Sequence, residues 1–216
     1  MASHEPTATQ EPPKRRGPGR PKSDGPSPKF LAKQEEIVTA AAKIFREKGY
    51  EAGTLDDVGE ATGLRGPTLY YYVPSKSHLL YMIFQRGLDV GLANLDERLR
   101  IKDPRERLAA LIRHQIEVVA KEPDLFAVFF DHRPGLEPEH RKEILARERK
   151  YLNGFTSAVA AAAEAGVIEI TDVAYATRAI HTMTTWIYKW IRPGDNPDLL
   201  AENCISLILG RGGDAV

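Results

Sequence analysis

The chain has 216 residues, 42% of them hydrophobic and 28% charged, enough to bury the core of one large domain or two modest ones. Its longest apolar runs, such as residues 125–130, are far too short to cross a bilayer. The N-terminus carries no apolar leader, and the single cysteine, Cys204, cannot close an intramolecular disulfide, so a cytoplasmic protein is expected. The formal net charge is zero, which gives no bulk electrostatic argument for a polyanionic partner.

Residues 1–28 are rich in Pro, Gly, Ser and Thr and nearly lack large apolar side chains, which predicts a disordered tail. Within it, Lys14-Arg15-Arg16-Gly17-Pro18-Gly19-Arg20-Pro21-Lys22 holds five basic residues and no acid. Gly19-Arg20-Pro21-Lys22 resembles the core of an AT-hook, a thin arm that lies in the narrow minor groove, although Pro18 stands where the usual hook has another arginine. A solubilising tail is the alternative.

From Phe30 the pattern turns helical. Ile37, Ala40, Ala41, Ile44 and Phe45 recur at three- and four-residue steps, and Gly49 supplies a stop. Thr54 with Asp57 three residues on forms a capping-box-like start to a short second helix, whose buried face is expected to be Leu55, Val58 and Ala61, with Gly63 as the turn. A third helix of about three turns begins at Arg65-Gly66-Pro67, with proline near its first position. Two short helices joined by a glycine turn are the signature of a helix-turn-helix.

At about 100° per residue, Leu69 and Val73 lie about 40° apart and define the buried face of the third helix. Pro67 and Tyr71 then point away from the core, with Tyr70 and Tyr72 flanking. Such an outward aromatic face, with Arg65 at its start, suits a major groove. Residues 29–78 hold seven basic and seven acidic side chains, so DNA binding here rests on where groups sit. The free N–H groups near Thr54 and near Ser75-Lys76 add two helix starts able to grip phosphates.

Almost every later segment also reads as helix: Lys76 to Leu99, Asp103-Pro104 to Lys121, Asp124 to His132, Pro138 to Ala165, Asp172 to Ile191, and Pro197 to Leu209. No stretch shows two-residue alternation. The fold class is all-α.

Residues 34–80 resemble the DNA-binding domain of the TetR family, whose recognition region typically reads small-basic-Gly-Thr-Leu-Tyr-aromatic-aromatic-Phe and then Ser-Lys. Here the stretch is Arg65-Gly66-Pro67-Thr68-Leu69-Tyr70-Tyr71-Tyr72-Val73-Pro74-Ser75-Lys76, with Pro67 as the departure. The first helix ending Phe45-Arg46-Glu47-Lys48-Gly49-Tyr50 and Thr54 before the second also fit. The resemblance implies base or phosphate contacts from Arg65, Gly66, Pro67, Thr68, Tyr70, Tyr71, Tyr72 and Lys76, with Thr54 on phosphate. The sequence thus divides into a tail (1–28), a DNA-binding domain (29–78) and an effector-binding and dimerisation domain (79–216).

Residues 80–216 assemble no catalytic constellation. His114, His132, His140 and His181 are scattered without metal-site spacing, so no enzyme activity, cofactor or metal is expected. The charge-rich run from Arg141 to Lys150 reads as a solvated helix face. One apolar stripe (Ala176, Ala179, Ile180, Met183, Trp186, Ile187, Trp190) and another (Leu200, Cys204, Leu207, Ile208) would pair with a second copy in a four-helix bundle, as the TetR resemblance also implies.

Phe84, Phe126, Phe129, Phe130, Tyr151, Phe155, Trp186 and Tyr188 crowd the same half and are candidates to line an apolar pocket, with Arg147, Arg149 and Lys189 as cations at its mouth. Phe126, Phe129, Phe130, Arg149, Tyr151, Phe155, Trp186 and Lys189 are the expected effector contacts. The stretch Trp186-Ile187-Tyr188-Lys189-Trp190-Ile191-Arg192-Pro193-Gly194 is similar to one in a TetR subgroup that includes regulators of steroid and fatty-acid catabolism. That likeness implies a hydrophobic effector of the acyl-CoA thioester class. The sequence therefore predicts a homodimeric repressor that binds a palindromic operator in double-stranded DNA and is released by such an effector. The alternative is an architectural DNA binder without an effector.

Overall fold

The computed structural model describes residues 25–210; the basic run at 14–22 and most of the expected tail lie outside them. Ten α-helices follow in order: α1 (Pro28–Lys48), α2 (Leu55–Thr62), α3 (Pro67–Tyr72), α4 (Lys76–Leu92), α5 (Leu95–Leu99), α6 (Pro104–Lys121), α7 (Pro123–Asp131), α8 (Pro138–Glu164), α9 (Val173–Thr185) and α10 (Pro197–Leu209), with single 3₁₀ turns at Arg133–Gly135 and Trp186–Lys189. No strand occurs among the described residues.

Local chemistry sets most of these boundaries. Proline, which lacks the N–H that a first helical residue leaves unused, opens α1, α3, α6, α7, α8 and α10. Side chains of Ser27, Thr54, Ser75, Asp103, Asp172 and Asn196 accept from the N–H groups that follow them.

Four expectations need correction. The third helix has six residues, under two turns, because Val73 returns to extended backbone. On α2 the inward face is Leu55, Val58, Gly59 and Thr62, while Ala61 is exposed. Gly59 has no room for a side chain, since a Cβ there would stand 2.4 Å from the Leu64 carbonyl oxygen, and Thr62 buries its hydroxyl by donating to the Val58 carbonyl.

The expected helix 76–99 breaks in two. His114 Nε2 bonds the carbonyls of Val90 and Gly91 at 3.0 and 3.1 Å, taking acceptors that helix continuation would use, and Asn94 turns left-handed at φ 54°. The expected helix 172–191 stops at Thr185, and the next four residues tighten to three per turn. That tightening buries Ile187 and Tyr188 and leaves Trp186 and Trp190 more than half exposed.

One continuous core runs from Ile37 to Leu209. Helix α10 packs on α6, α6 and α4 pack on α8, and α1 packs on α7 as well as on α2 and α4.

Candidate nucleic-acid interface and effector cavity

Helix α3 is held from one side only. Leu69 and Val73 are buried, whereas Tyr71 is 71% and Tyr70 55% exposed. Tyr72 is half-buried and stacks on Phe30 of α1 with centroids 4.9 Å apart; the edge of Tyr71 meets the same ring at 5.4 Å. Gln34 donates from Nε2 to the Tyr72 carbonyl at 3.1 Å. The first turns of α1 therefore brace Tyr71 and Tyr72. Phe30 and Gln34 carry no motif, and sequence reasoning passed them over.

Arg65, Gly66, Pro67 and Thr68 are all exposed beside this face, and Arg65 has no ion-pair partner among the described residues. Thr54 and Lys76 are more committed. The Thr54 hydroxyl accepts from Asp57 N–H and donates to Asp57 Oδ2, while Lys48 and these bonds hold the Asp57 carboxyl down to about 2. Lys76 Nζ donates to the Glu51 carbonyl at 2.9 Å and lies 4.6 Å over the Tyr50 ring. Each must share or surrender an existing bond to reach a phosphate.

An apolar cavity of about 280 Å³ lies between α4, α6, α7, α8 and α9. Phe126, Phe129 and Phe130 form one wall, Gly87, Leu88, Gly91 and Leu92 of α4 another, and Leu145, Arg149, Tyr151 and Leu152 of α8 a third. Leu145, Arg149 and Leu152 are exposed and mark its mouth, while Tyr151 and Gln115 are buried inside. Phe84 stacks behind Phe129 at 4.8 Å, and Tyr188 stacks behind Phe130 at 5.6 Å.

Of the eight expected effector contacts, Phe126, Phe129, Phe130, Arg149 and Tyr151 border this space, and Phe155, Trp186 and Lys189 do not. Phe155 is fully buried as the second layer behind Tyr151 and His181. Trp186 faces outward from the 3₁₀ turn. Lys189 is paired with Asp131 at 2.7 Å. Arg147, expected at the mouth, pairs with Asp89 instead.

Four polar residues that the aromatic pattern gave no reason to choose complete the wall: Gln115, Arg133, Glu148 and His181. Arg133 forms a two-pronged ion pair with the partly buried carboxylate of Glu148. Burial, with the nearby Arg133 charge, pushes His181 down to about 4, so its imidazole is neutral at neutral pH. Burial likewise pushes the Tyr151 hydroxyl well above its ordinary range.

Residues 102–211 match the family described as tetracyclin repressor-like, C-terminal domain, and residues 37–81 match the bacterial regulatory proteins of the tetR family. The chain belongs to the TetR family. As a TetR-family member it is a DNA-binding transcriptional regulator.

Among relatives, it is 28% identical over 186 residues to the transcriptional repressor KstR2 of Rhodococcus jostii, covering 82% of this chain and 89% of that one. It is 26% identical to the transcriptional activator FasR of Mycolicibacterium smegmatis over 58% of this chain, and spans only 59% of FasR's length. Among solved structures, the TetR-family regulator PfmR of Thermus thermophilus superposes with a TM-score of 0.74 at 30% identity, covering 85% of this chain and 98% of PfmR. AibR, solved in complex with isovaleryl coenzyme A and operator DNA, gives a TM-score of 0.73 at 26% identity, covering 82% and 98%.

The C-terminal stripes of this TetR-family chain divide between core and surface. Ile180, Ile187 and Cys204 of the stripes are buried, while Met183, Trp186, Trp190 and Leu207 are exposed; Tyr175 and Leu199, outside the stripes, add to the exposed apolar surface of α9 and α10.

Proposed function

We propose that the chain is a homodimeric repressor that binds a two-fold operator through α3 and leaves it when an apolar effector fills the cavity. The observation that carries this reading is architectural. Two cavity walls are α4 and α7, and α1, which braces the recognition tyrosines, packs on both. Arg86 ties the three together, bonding Glu35 on α1 and Glu122 at the head of α7, one residue before the wall residue Gly87. A ligand that displaces α4 or α7 moves α1, and with it the spacing of the two recognition helices.

The domain division follows, with residues 29–78 for DNA, 79–216 for effector and pairing, and the exposed face of α9 and α10 for the second copy. A regulator of this kind acts in the cytoplasm, where its operator is.

The effector class is narrowed by size and charge. At about 280 Å³ the cavity is near the small end of the ~300–1,000 Å³ typical of ligand sites, which suits an acyl or ring group and leaves no room for a nucleotide. The exposed Arg149 at the mouth would meet phosphates outside. An acyl-CoA thioester fits both conditions, and AibR, similar in fold, binds isovaleryl coenzyme A. Release also requires preference for one arrangement over the other. Moving occupancy from 99:1 to 1:99 takes about 5.5 kcal/mol of differential binding, half of it per protomer of a dimer.

The test is a DNA-release assay on an operator selected from random duplexes, with acyl-CoA thioesters, their free acids and unrelated apolar compounds. Release by thioesters at lower concentration than by their acids is the expected result. Release by unrelated compounds alone removes the thioester assignment, and no release by any apolar compound removes the repressor reading.

A further inference from the structure

The cavity wall is mostly hydrocarbon, yet Gln115 and His181 on it keep side-chain nitrogens without a partner among the described residues. Tyr151 donates its hydroxyl to Gln115 Oε1, which fixes the amide and leaves the Gln115 nitrogen without an acceptor among the described residues. His181 touches Tyr151 and Phe155 only through its ring, with centroids 6.0 Å apart in each case, and neither imidazole nitrogen is hydrogen-bonded within the described residues. All three nitrogens still have accessible surface, since the sealed and unpaired polar side-chain atoms among the described residues are Arg86 Nε, His140 Nδ1 and Thr177 Oγ1. Gln115 is only 4% exposed and borders the cavity, so the surface of its nitrogen lies inside, and the partly buried His181 borders the same space.

The other polar groups on the wall are differently placed. Arg133 and Glu148 satisfy each other, and Arg149 sits at the mouth with its Nε on the Leu145 carbonyl. Because His181 is neutral, its ring offers one N–H donor and one lone pair.

We propose that the effector carries an acceptor oxygen, a ketone or hydroxyl, within the apolar part that it buries, held by the Gln115 amide N–H and the His181 imidazole. The inference rests on the cavity being the effector site. A plain hydrocarbon of the same shape would cover two polar groups and give them nothing in return. A site lined with such donors rejects the analogue lacking its oxygen far more strongly than an apolar wall rejects an extra methylene.

Titration calorimetry on the full chain with two matched pairs tests this directly. One pair is 4-oxocyclohexanecarbonyl-CoA against cyclohexanecarbonyl-CoA; the other, uncharged, is 4-propylcyclohexanone against propylcyclohexane. The ketone is expected to bind about tenfold tighter or more than its hydrocarbon partner. Gln115→Leu and His181→Phe should each cut that ratio to about threefold or less while keeping hydrocarbon affinity.

A preference within the uncharged pair, with neither thioester bound, would discard the thioester assignment and support the oxygen. Equal binding of ketone and hydrocarbon by the unmodified chain, or no binding in either pair, overturns the proposal whatever the variants do.

Discussion

Gly87 on α4 and Phe129 on α7 meet so closely that a Cβ on the glycine would stand 2.8 Å from the phenylalanine Cδ2. One turn further along α4, a Cβ on Gly91 would meet nothing within 4 Å, because that glycine faces the cavity. The two glycines thus do opposite things: the first lets two walls close, the second keeps the space between them open.

Gly91→Leu is expected to fill the cavity and leave operator affinity unchanged while abolishing ligand-induced release. Gly87→Ala must push Phe129 aside, and small-to-large changes in packed sites cost about 1–3 kcal/mol, so its melting temperature should fall. Mobility shifts with and without ligand, beside thermal melts, check both. A Gly91→Leu protein that still responds to ligand would mean the effector binds elsewhere.

Tyr71 has its hydroxyphenyl ring largely in solvent, with only T-shaped ring contacts to Phe30 and Tyr72. Tyr71→Ala should therefore leave stability within about 0.5 kcal/mol while lowering specific operator affinity by about 1–3 kcal/mol. Phe30→Ala removes the brace beneath Tyr71 and Tyr72 and should weaken the same binding without any contact of its own with bases. Fluorescence anisotropy on specific and scrambled duplexes, with urea unfolding in parallel, separates the two effects.

His181 gives a pH dependence of defined sign. Its folded value, about 4, lies below the ordinary 6.5. Above pH 6.5 both folded and unfolded chains hold it neutral and it has no effect. As pH falls from 6.5 towards 4, the unfolded chain takes up a proton that the folded chain refuses, so stability declines and then levels off. The gap corresponds to about 3 kcal/mol at most. Urea midpoints at pH 7.5, 5.5 and 4.5 should fall more steeply for the unmodified protein than for His181→Phe; parallel slopes would show that the imidazole is solvated.

Leu207 is 79% and Trp186 58% exposed on the face assigned to pairing. Leu207→Asp is expected to shift sedimentation from dimer to monomer and to lower operator affinity with it, because one half-site contact is lost. Trp186→Ala should likewise weaken pairing and leave direct effector binding unchanged, since Trp186 is not on the cavity wall. Effector affinity lost with dimerisation intact would place Trp186 back in the site.

Much of this protein could be read from its residues alone, wherever the determining chemistry is local. Capping side chains, first-turn prolines and the spacing of Leu69 from Val73 set helix starts and the outward aspect of Tyr71, because those depend on residues within one or two turns. The break at Asn94 was not legible. It depends on His114, some 20 residues away in sequence, reaching the Val90 and Gly91 carbonyls.

The cavity divides in the same way. Aromatic density pointed to Phe126, Phe129, Phe130 and Tyr151, but composition cannot tell a ring that lines a space from one packed behind it, as Phe155 is. Nor can it follow a tightened turn that swings Trp186 outward. Gln115 and His181 carry no motif at all. What makes them notable is side-chain nitrogens left without a partner on a mostly apolar wall, a property that exists only once α6, α8 and α9 have packed together.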